Sequence, residues 1–326
     1  MKVSILGAGG WGTALGRHLS VGNARVTIWG HSKAHLDQME KSRANPQYLP
    51  GIKLPEDLSF ESDLNRAVEG AEAVVVAVPS RVFREVTSRL PQYRGVAISV
   101  TKGIEHATGL TMSGIMGSTL PNAKHAVLSG PNLAPEIARD IPAASVVASA
   151  DEATARFVQQ LFHRPTFRVY TSSDVMGVEL GGALKNVIAI AAGMCDGLRF
   201  GDSTKAALLT RGIVEMRRLG VACGAQSETF SGLSGLGDLT VTCFSRLSRN
   251  RTLGERLAQG EKLTEILEKT PTVAEGYPTA RAAADLARRL GIDVPIIDEV
   301  YAVLYENKDI ARALRDLTMR ESKAES

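Results

Sequence analysis

Short apolar runs alternate with helix-like segments through the first half of the chain. The apolar runs are Val3 to Leu6, Val26 to Trp29, Ala73 to Val78, Val96 to Val100, Ala126 to Leu128 and Ser145 to Ala148. The segments with helical composition and spacing are Thr13 to Leu19, His35 to Lys41, Val82 to Leu90 and Thr111 to Met116. Strands that alternate with helices are typical of a parallel sheet covered by helices on both faces. The pattern therefore predicts a doubly wound α/β domain.

The character of the chain changes after about residue 170, where strand-like runs give way to long segments rich in alanine and leucine. The helices predicted there are Val175 to Met194, Ser203 to Ala222, Thr252 to Gln259, Leu263 to Glu268, Pro278 to Leu290, Ile296 to Tyr305 and Ile310 to Thr318. Asp151 to Phe162 is expected to bridge the two parts. We predict a sheet domain over residues 1–170 and an all-α domain over residues 171–326.

Length and charge agree with two folded domains. A chain of 326 residues exceeds what one hydrophobic core usually supports. Its 38 basic and 35 acidic residues leave a formal charge of +3, spread too evenly to indicate a nucleic-acid surface. Cys195, Cys223 and Cys243 lie far apart without a CxxC spacing or nearby histidines. That spacing argues against a disulfide framework and a metal site, and it favours a reducing compartment.

Nothing in the sequence indicates export or membrane insertion. A strand-like run follows Met1 and Lys2 at once, so we expect no signal peptide. The longest uninterrupted apolar run of the central helix, Val187 to Cys195, is far shorter than the roughly 20 residues of a membrane span. We expect a cytoplasmic protein, and apolar helical surface in the second domain suggests a homodimer.

A glycine-rich loop follows the first strand and precedes the first helix. Its sequence is Gly7-Ala8-Gly9-Gly10-Trp11-Gly12, a G-x-G-x-x-G motif. In a dinucleotide site Gly7 permits the tight turn, Gly9 lets the backbone approach the pyrophosphate, and Gly12 allows close packing of helix and strand. The alternative is a glycine turn used only for packing. In this context the motif predicts a Rossmann-type domain that binds NAD or NADP.

The end of the second strand bears on the choice of cofactor. NAD-specific proteins often place a carboxylate there for the ribose 2′-hydroxyl, but this chain reads Trp29-Gly30-His31-Ser32-Lys33. A 2′-phosphate would meet no repulsion, and His31, Ser32 or Lys33 could donate hydrogen bonds to it. An ordinary exposed turn is the alternative. Use of both NAD and NADP is the hypothesis that this segment supports.

The central helix of the second domain carries a lysine in an apolar context. Lys185 follows Gly181 and Gly182 and precedes Asn186. Burial would lower the pKa of the lysine and let it exchange a proton near neutral pH, while the glycines leave room for a close approach. The alternative is a lysine that extends to solvent. Lys185 is the candidate general acid/base.

Two further clusters in the second domain could bind an anionic substrate. Asp238 ends the glycine-rich run Ser231 to Asp238 and could orient a lysine or accept a substrate hydroxyl. Ser248-Arg249-Asn250-Arg251 precedes a predicted helix, where an arginine and the helix N-terminus together favour phosphate. A helix cap or a turn is the alternative for each cluster.

Two segments of the first domain lie just past strand carboxyl ends. Thr101-Lys102-Gly103 follows one strand and Ser129-Gly130-Pro131-Asn132 follows the next. Open parallel sheets bind ligands at that edge, so Lys102 and the Gly130 region are expected to meet substrate and nicotinamide. A surface lysine without a role would look the same.

Together these motifs resemble those of the bacterial-type NAD(P)-dependent glycerol-3-phosphate dehydrogenases, from the first strand to about residue 318. The shared segments are Gly7 to Leu15, Trp29-Gly30-His31, Val78-Pro79-Ser80, Thr101-Lys102-Gly103, Ser129-Gly130-Pro131, Leu180 to Val187, Gly235 to Leu239, Ser248-Arg249-Asn250 and Glu275-Gly276-Tyr277. The resemblance implies interconversion of sn-glycerol 3-phosphate and dihydroxyacetone phosphate, with NADPH used for reduction. It also implies a role in supplying glycerol 3-phosphate for phospholipids.

The resemblance also implies roles for individual residues, with Lys185 as the general acid/base. The residues expected around the substrate are Lys102, Gly130, Asn132, Asp238, Ser248, Arg249 and Asn250. The residues expected at the cofactor are Gly7, Gly9, Gly10, Trp11, Gly12, His31, Tyr48, Lys102, Ala134, Arg249, Val273 and Glu275. Asn132 stands where the family usually has serine or threonine, although its side chain can still form hydrogen bonds.

Two alternatives remain open from the sequence. A sister dehydrogenase of the 6-phosphogluconate or 3-hydroxyacid type would also use a lysine and an asparagine on the central helix. The anion site at Ser248 to Asn250 favours a small phosphorylated substrate instead. A non-catalytic sensor of NAD(P)H is the second alternative, and the presence of Lys185 and Asp238 argues against it.

Overall fold

The structure is a computed structural model that describes residues 1–269 and 274–321. Its strands are β1 Lys2–Leu6, β2 Arg25–Trp29, β3 Ala44–Asn45, β4 Leu49–Lys53, β5 Ser59–Glu61, β6 Ala73–Val76, β7 Val96–Ser99, β8 Lys124–Ser129, β9 Ala143–Ala148 and β10 Phe167–Ser172. Eight of them form one sheet in the order β10-β9-β8-β7-β6-β1-β2-β5, and β3 and β4 form a separate hairpin.

Helices cover both faces of this sheet, and a second, helical part follows β10. The helices of the first part are α1 Gly10–Val21, α2 Lys33–Ser42, α3 Leu64–Val68, α4 Ser80–Ser88, α5 Met112–Thr119, α6 Ala134–Ile137 and α7 Glu152–Phe162. Those of the second part are α8 Val175–Gly197, α9 Asp202–Ala222, α10 Asp238–Phe244, α11 Arg249–Ala258, α12 Leu263–Lys269, α13 Gly276–Leu290, α14 Pro295–Tyr305 and α15 Ile310–Thr318. The predicted fold class is confirmed.

The strand pattern departs from the prediction at one edge of the sheet. β8 and β9 pair antiparallel, whereas the other neighbours in the sheet pair in parallel. The connection between β8 and β9 contains only α6, whose four residues span about 6 Å. A helix that short cannot carry the chain back along a six-residue strand. β9 therefore starts beside the carboxyl end of β8 and runs in the opposite direction.

The sequence pattern missed the β3–β4 hairpin and two strands of the main sheet, and it misassigned the role of one helix. The sequence pattern missed β5 and β10, which close the two edges of the sheet. In β10 buried and exposed positions alternate, so Arg168 and Tyr170 point outward and interrupt the apolar run. The expectation that Asp151 to Phe162 bridges the domains was wrong. Val158 and Phe162 of α7 pack in the core on one face of the sheet.

The two faces of the sheet and the helical part each have their own apolar core. The predicted division after residue 170 falls within β10, and α8 begins at Val175. α8 is the one helix of the described chain that is long and apolar enough to cross a membrane, yet 89% of its most apolar window is buried inside the structure. Its apolar character therefore reflects its place at the centre of the helical core.

Close approach of α8 and α11 depends on one glycine from each helix. A Cβ at Gly193 would overlap the carbonyl oxygen of Arg251, and a Cβ at Gly254 would overlap that of Ile190. Backbone atoms on both sides cannot move without shifting a whole helix. The two glycines therefore set the distance between the helix that carries Lys185 and the helix that begins at Arg249.

We predict that Gly254→Ala destabilises the helical core, because the added methyl group meets backbone rather than a movable side chain. Overpacking of this kind costs about 1–3 kcal/mol. The matched control is Gly117→Ala on α5, where a Cβ would meet nothing within 4 Å. Thermal unfolding should show a lower Tm for the first variant and an equal or higher Tm for the second. Equal Tm values for the two variants would contradict this account of the crossing.

Candidate active site

The glycine-rich loop between β1 and α1 contains glycines that the fold itself requires. Gly7 has a φ of +129°, and a Cβ there would lie 2.6 Å from the carbonyl oxygen of Ala77. A Cβ at Gly12 would overlap the carbonyl oxygen of Gly7, and one at Gly10 would lie 2.6 Å from that of Tyr48. Close packing within the chain is therefore enough to explain why these three positions are glycine.

Gly9 is different, because nothing in the chain explains it. Its backbone is extended, with a φ of −77° and a ψ of 178°, which any residue can adopt. A Cβ at this position would meet nothing within 4 Å. The space in front of Gly9 is therefore open at the N-terminus of α1, where backbone N–H groups and the helix dipole favour an anion. The loop fits a dinucleotide pyrophosphate.

The other predicted cofactor residues lie around this loop in different ways. His31 is exposed directly after β2, and Ser32 caps α2 by accepting a hydrogen bond from the amide of His35 at 3.3 Å. Lys33 forms an ion pair with Asp37 at 2.8 Å, so its ammonium group already has a partner.

Tyr48 and Ala134 complete the described surroundings of the loop. The ring of Tyr48 meets the edge of His35, with 5.4 Å between the ring centroids. Ala134 begins α6, which packs against α1. Val273 was also predicted to contact the cofactor, and it lies outside the described residues.

A buried charge centre lies where α8 and α10 meet the carboxyl edge of the sheet. The ammonium nitrogen of Lys185 lies 2.9 Å from Oδ1 of Asp238 and donates a hydrogen bond to Oγ1 of Thr242 at 2.6 Å. Lys102, which follows β7, donates to the other carboxylate oxygen of Asp238 and, at 3.1 Å, to the carbonyl of Gly130. One carboxylate therefore joins lysines from the two halves of the molecule.

The surroundings of Lys185 change its acidity. The residue is only 6% exposed, and burial is the main reason that its pKa falls to about 8. The carboxylate of Asp238 opposes this shift and the ammonium of Lys102 adds to it. A lysine with this pKa is mostly protonated at pH 7, and a useful fraction is neutral slightly above it. The predicted role of a proton donor and acceptor is compatible with this environment.

Gly182 of α8 lets the sheet domain approach closely beside the lysine, and Asn250 of α11 links helices of the second domain. A Cβ at Gly182 would lie 2.6 Å from the hydroxyl oxygen of Ser129 and 3.4 Å from Cγ of Lys102. The side chain of Asn250 donates to Oδ1 of Asn186 at 2.8 Å and accepts from the amide of Gly276 at 2.9 Å. Asn250 therefore ties α8, α11 and α13 together.

Arg249 faces a different environment from that of the buried lysine. Ser248 caps α11 by accepting from the amide of Arg251 at 3.2 Å. Arg249 lines a cavity of about 520 Å³ together with Arg81, Arg246 and Glu275. The carboxylate of Glu275 is taken by the amide of Ser80 at 3.0 Å and by its hydroxyl. No ion pair joins Arg249 to a carboxylate within the described ranges, so its guanidinium is available to an anion.

Apart from Asn132, the predicted substrate residues therefore divide into two groups, one around Lys185 and the other, Ser248, Arg249 and Asn250, at the start of α11. Lys102, Gly130, Lys185 and Asp238 come together in one hydrogen-bonded centre. Asn132 is occupied within the chain, because it donates to the carbonyl of Ala144 at 3.0 Å and accepts from the hydroxyl of Ser145. A substrate would have to share or replace one of those bonds.

Sequence reasoning missed Thr242. Its hydroxyl accepts from Lys185 and donates to the backbone oxygen of Asp238 at 2.6 Å, so it links the two charged groups. Thr242 stands four residues after Asp238, one helical turn along α10. Because no helix was predicted over Asp238–Phe244, that i, i+4 relation could not be recognised. A helix prediction over this segment would have been needed to place Thr242 one turn after Asp238.

Comparisons with known proteins agree in both halves of the chain. Two family models match, described as NAD-dependent glycerol-3-phosphate dehydrogenase N-terminus over residues 2–155 and C-terminus over residues 174–315. Among curated proteins, the glycerol-3-phosphate dehydrogenase [NAD(P)+] of Geobacter sulfurreducens is 47% identical over 99% of this chain and 98% of its own length. That of Fusobacterium nucleatum is 44% identical over 100% and 98%.

Solved structures give the same result. The crystal structure of glycerol-3-phosphate dehydrogenase from Coxiella burnetii is 36% identical, has a TM-score of 0.94 and covers 98% of this chain and 99% of its own. The yeast glycerol-3-phosphate dehydrogenase is 26% identical with a TM-score of 0.83, over 98% and 99%. D-mandelate dehydrogenase, at 11% identity and a TM-score of 0.63, shares the fold alone.

We predict that Gly9→Val leaves the fold intact and lowers affinity for NADH by at least about tenfold, the effect of losing roughly 1.4 kcal/mol of binding. Gly201→Val is the matched control. Gly201 also precedes a helix, with a φ of −76° and a ψ of 174°, and a Cβ there meets nothing within 4 Å. Fluorescence titration with NADH and thermal unfolding measure the two effects. Unchanged affinity in Gly9→Val would show that no ligand occupies the space in front of Gly9.

Proposed function

Because the chain belongs to the NAD-dependent glycerol-3-phosphate dehydrogenase family, we propose that it interconverts sn-glycerol 3-phosphate and dihydroxyacetone phosphate with NAD or NADP. We further propose that Lys185 moves the proton of the substrate hydroxyl. The observation that carries this role is the buried Lys185–Asp238 pair at the carboxyl edge of the sheet, where Lys102 reaches the same carboxylate. Ligands of parallel sheets bind at this edge.

The proton transfer follows from the charge state of the lysine. In reduction the ammonium group of Lys185 donates a proton to the oxygen on C2 of dihydroxyacetone phosphate, and in oxidation the neutral amine removes it. Asp238 and Thr242 hold the nitrogen in place, and Lys102 adds positive charge near the oxygen where negative charge develops. A bound nicotinamide supplies or accepts the hydride at C2.

The phosphate of the substrate is proposed to bind at the start of α11. Arg249 can donate two parallel hydrogen bonds to phosphate, and the helix dipole adds a favourable field. The hydroxyl of Ser248 accepts a bond as the helix cap, which leaves its own hydrogen free to donate. The amide group of Asn250 likewise keeps one N–H beyond the bond to Asn186. Asn132 remains a proposed contact, although its side chain already forms hydrogen bonds with Ala144 and Ser145.

The cofactor is proposed to lie over Gly7 to Gly12, with its adenosine end toward His31. Support for NADP as well as NAD comes from the exposed His31 and from the N-terminus of α2, which carries no acidic residue in its first turn. The remaining proposed contacts are Gly10, Trp11, Tyr48, Lys102, Ala134, Arg249, Val273 and Glu275. NADPH is the proposed reductant when glycerol 3-phosphate is made.

Three broader aspects of the function are also proposals. A homodimer is supported by large apolar side chains on the helical part that remain exposed, including Phe244 at 48% and Leu247 at 54%. A cytoplasmic location and a role in supplying glycerol 3-phosphate for phospholipids follow from the family resemblance. A catalytically idle sensor of NAD(P)H is disfavoured, because a buried lysine and carboxylate cost stability that binding alone does not require.

The direct test is turnover of dihydroxyacetone phosphate with NADPH, followed at 340 nm, in the natural protein and in Lys185→Ala. We expect turnover in the first and a loss of at least about a hundredfold in the second, the usual scale for removal of a general acid/base. NADH binding should be retained in the variant. Turnover of another ketone but not of dihydroxyacetone phosphate would favour the sister dehydrogenase, and full turnover in Lys185→Ala would remove the lysine from the mechanism.

The pH dependence should have opposite signs in the two directions. The pKa of Lys185 is lowered to about 8, so the ammonium form needed for reduction predominates below pH 8 and is lost above it. The neutral form needed for oxidation is gained over the same range. We expect kcat for reduction to fall above about pH 8 and kcat for oxidation to rise toward it. Profiles that move in the same direction would contradict a lysine acid/base.

Arg249→Ala should raise the KM for dihydroxyacetone phosphate by about 10- to 100-fold, because a hydrogen bond to a charged group contributes about 1.5–3 kcal/mol. Arg246→Ala is the matched control, since Arg246 lines the same cavity without a proposed contact. Its KM should stay within about threefold of the natural value. Equal increases in both variants would point to general attraction of the anion rather than to a specific phosphate contact.

A further inference from the structure

Glu179 of α8 reaches across the boundary between the two halves of the molecule. It is 7% exposed, and its carboxylate accepts a hydrogen bond from the amide of Ser113 at 2.8 Å and another from the hydroxyl of Ser113. Ser113 is the second residue of α5, a helix of the sheet domain. A carboxylate of one domain therefore caps a helix of the other.

α5 depends on this outside partner. Its own cap residue, Thr111, makes no side-chain capping bond. The first amides of a helix need acceptors, and a carboxylate there also interacts favourably with the helix dipole. Burial raises the pKa of Glu179, and bonds from Ser113 and Thr111 oppose that rise. The hydrogen bonds from this helix end therefore offset part of the cost of burying the Glu179 carboxylate.

A second contact of the same kind lies nearby. Glu275 of the helical part accepts from the amide and hydroxyl of Ser80, the first residue of α4, whose cap Pro79 has no side-chain acceptor. α4 and α5 pack against each other in the sheet domain. Two neighbouring helices of one domain are thus capped by carboxylates of the other, and together they fix how the domains sit on each other.

Glu179 also lies on the face of α8 that meets the reaction centre. Glu179, Gly182 and Asn186 follow the i, i+3, i+7 spacing of one helix face, and Lys185 borders it. Gly182 faces Lys102 of the sheet domain, which reaches Asp238 on the far side. The rotation of α8 about its axis and its distance from the sheet domain therefore decide whether Lys102 and Lys185 can both contact Asp238.

We propose that Glu179 is a positioning residue for the reaction, which docks α8 onto α5 and so holds Lys185 in register with Lys102 of the other domain. The inference rests on the proposed function of Lys185. Glu179 does not touch the reacting atoms in this scheme. Its effect passes through the backbone of α8, about one and a half turns before the lysine.

The test compares three changes at this contact with a control cap elsewhere. Glu179→Ala removes the cap, Glu179→Gln keeps one oxygen acceptor, and Ser113→Ala removes only the hydroxyl bond. The control is Glu215, which is 4% exposed and accepts from the amides of Ile296 at 2.8 Å and Ile297 at 3.2 Å. That contact caps α14 from α9, wholly within the helical part. Glu215→Ala therefore removes a buried cap without loosening the domain contact.

We expect Glu179→Ala to lower kcat by about tenfold or more, the scale of a small misplacement of reacting groups, with affinity for NADH within about threefold of the natural value. The falling limb of the kcat profile for reduction should move to higher pH, because looser packing admits water to Lys185. Glu179→Gln should restore most of kcat, and Ser113→Ala should lie between them. Glu215→Ala should lower Tm without moving kcat or its pH profile.

A kcat and pH profile in Glu179→Ala that match those of Glu215→Ala would overturn the proposal, because Glu179 would then act only on stability. Should Glu179→Ala fail to fold, Ser113→Ala decides, and a natural kcat and pH profile in that variant would equally overturn the proposal. Failure of the proposed function is seen separately, as absent turnover of dihydroxyacetone phosphate in the natural protein. If the protein reduces another ketone, the pH profile of kcat measured with that ketone would still test the positioning role of Glu179.

Discussion

The carboxylate of Asp238 lies between two ammonium groups that come from different halves of the molecule. Buried charges are costly unless they are paired, and neither lysine has another carboxylate in the centre described above. Loss of this one group would leave the buried ammonium of Lys185 and the half-buried ammonium of Lys102 facing each other. The approach of α8 and α10 to the carboxyl edge of the sheet is therefore coupled to a single ionised side chain.

The same arrangement leaves the centre with an excess of positive charge, which suits the chemistry proposed for it. One carboxylate cannot neutralise two ammonium groups, so the centre has a charge that favours the anionic substrate proposed to bind there. Lys185 is the more deeply buried of the two lysines, and its pKa is lowered to about 8. Burial on α8 and repulsion from Lys102 therefore suit Lys185 to the proton transfer proposed for it, while Lys102 donates a hydrogen bond to Gly130.

The sequence predicted the interior of the molecule better than its edges. Central strands such as β6 are buried on both faces and read as continuous apolar runs, whereas β10 alternates and was missed. The direction of β9 could not be predicted either, because an apolar run indicates a buried strand but not whether it pairs parallel or antiparallel. For the site, Lys185 and Asp238 stood out as charges among glycines and apolar residues. Thr242 did not, because a threonine in a helix has no distinctive pattern until its neighbour in space is known.

The glycines show why a motif alone could not separate packing from binding. Three glycines of the loop, Gly7, Gly10 and Gly12, lie too close to backbone atoms of the same chain to carry a side chain. A protein that binds no cofactor would need them equally. Gly9 alone has open space before it and ordinary backbone angles. The space in front of Gly9 is therefore open to a ligand at the N-terminus of α1. The dinucleotide interpretation rests on the one glycine that the fold does not explain, together with the helix N-terminus behind it.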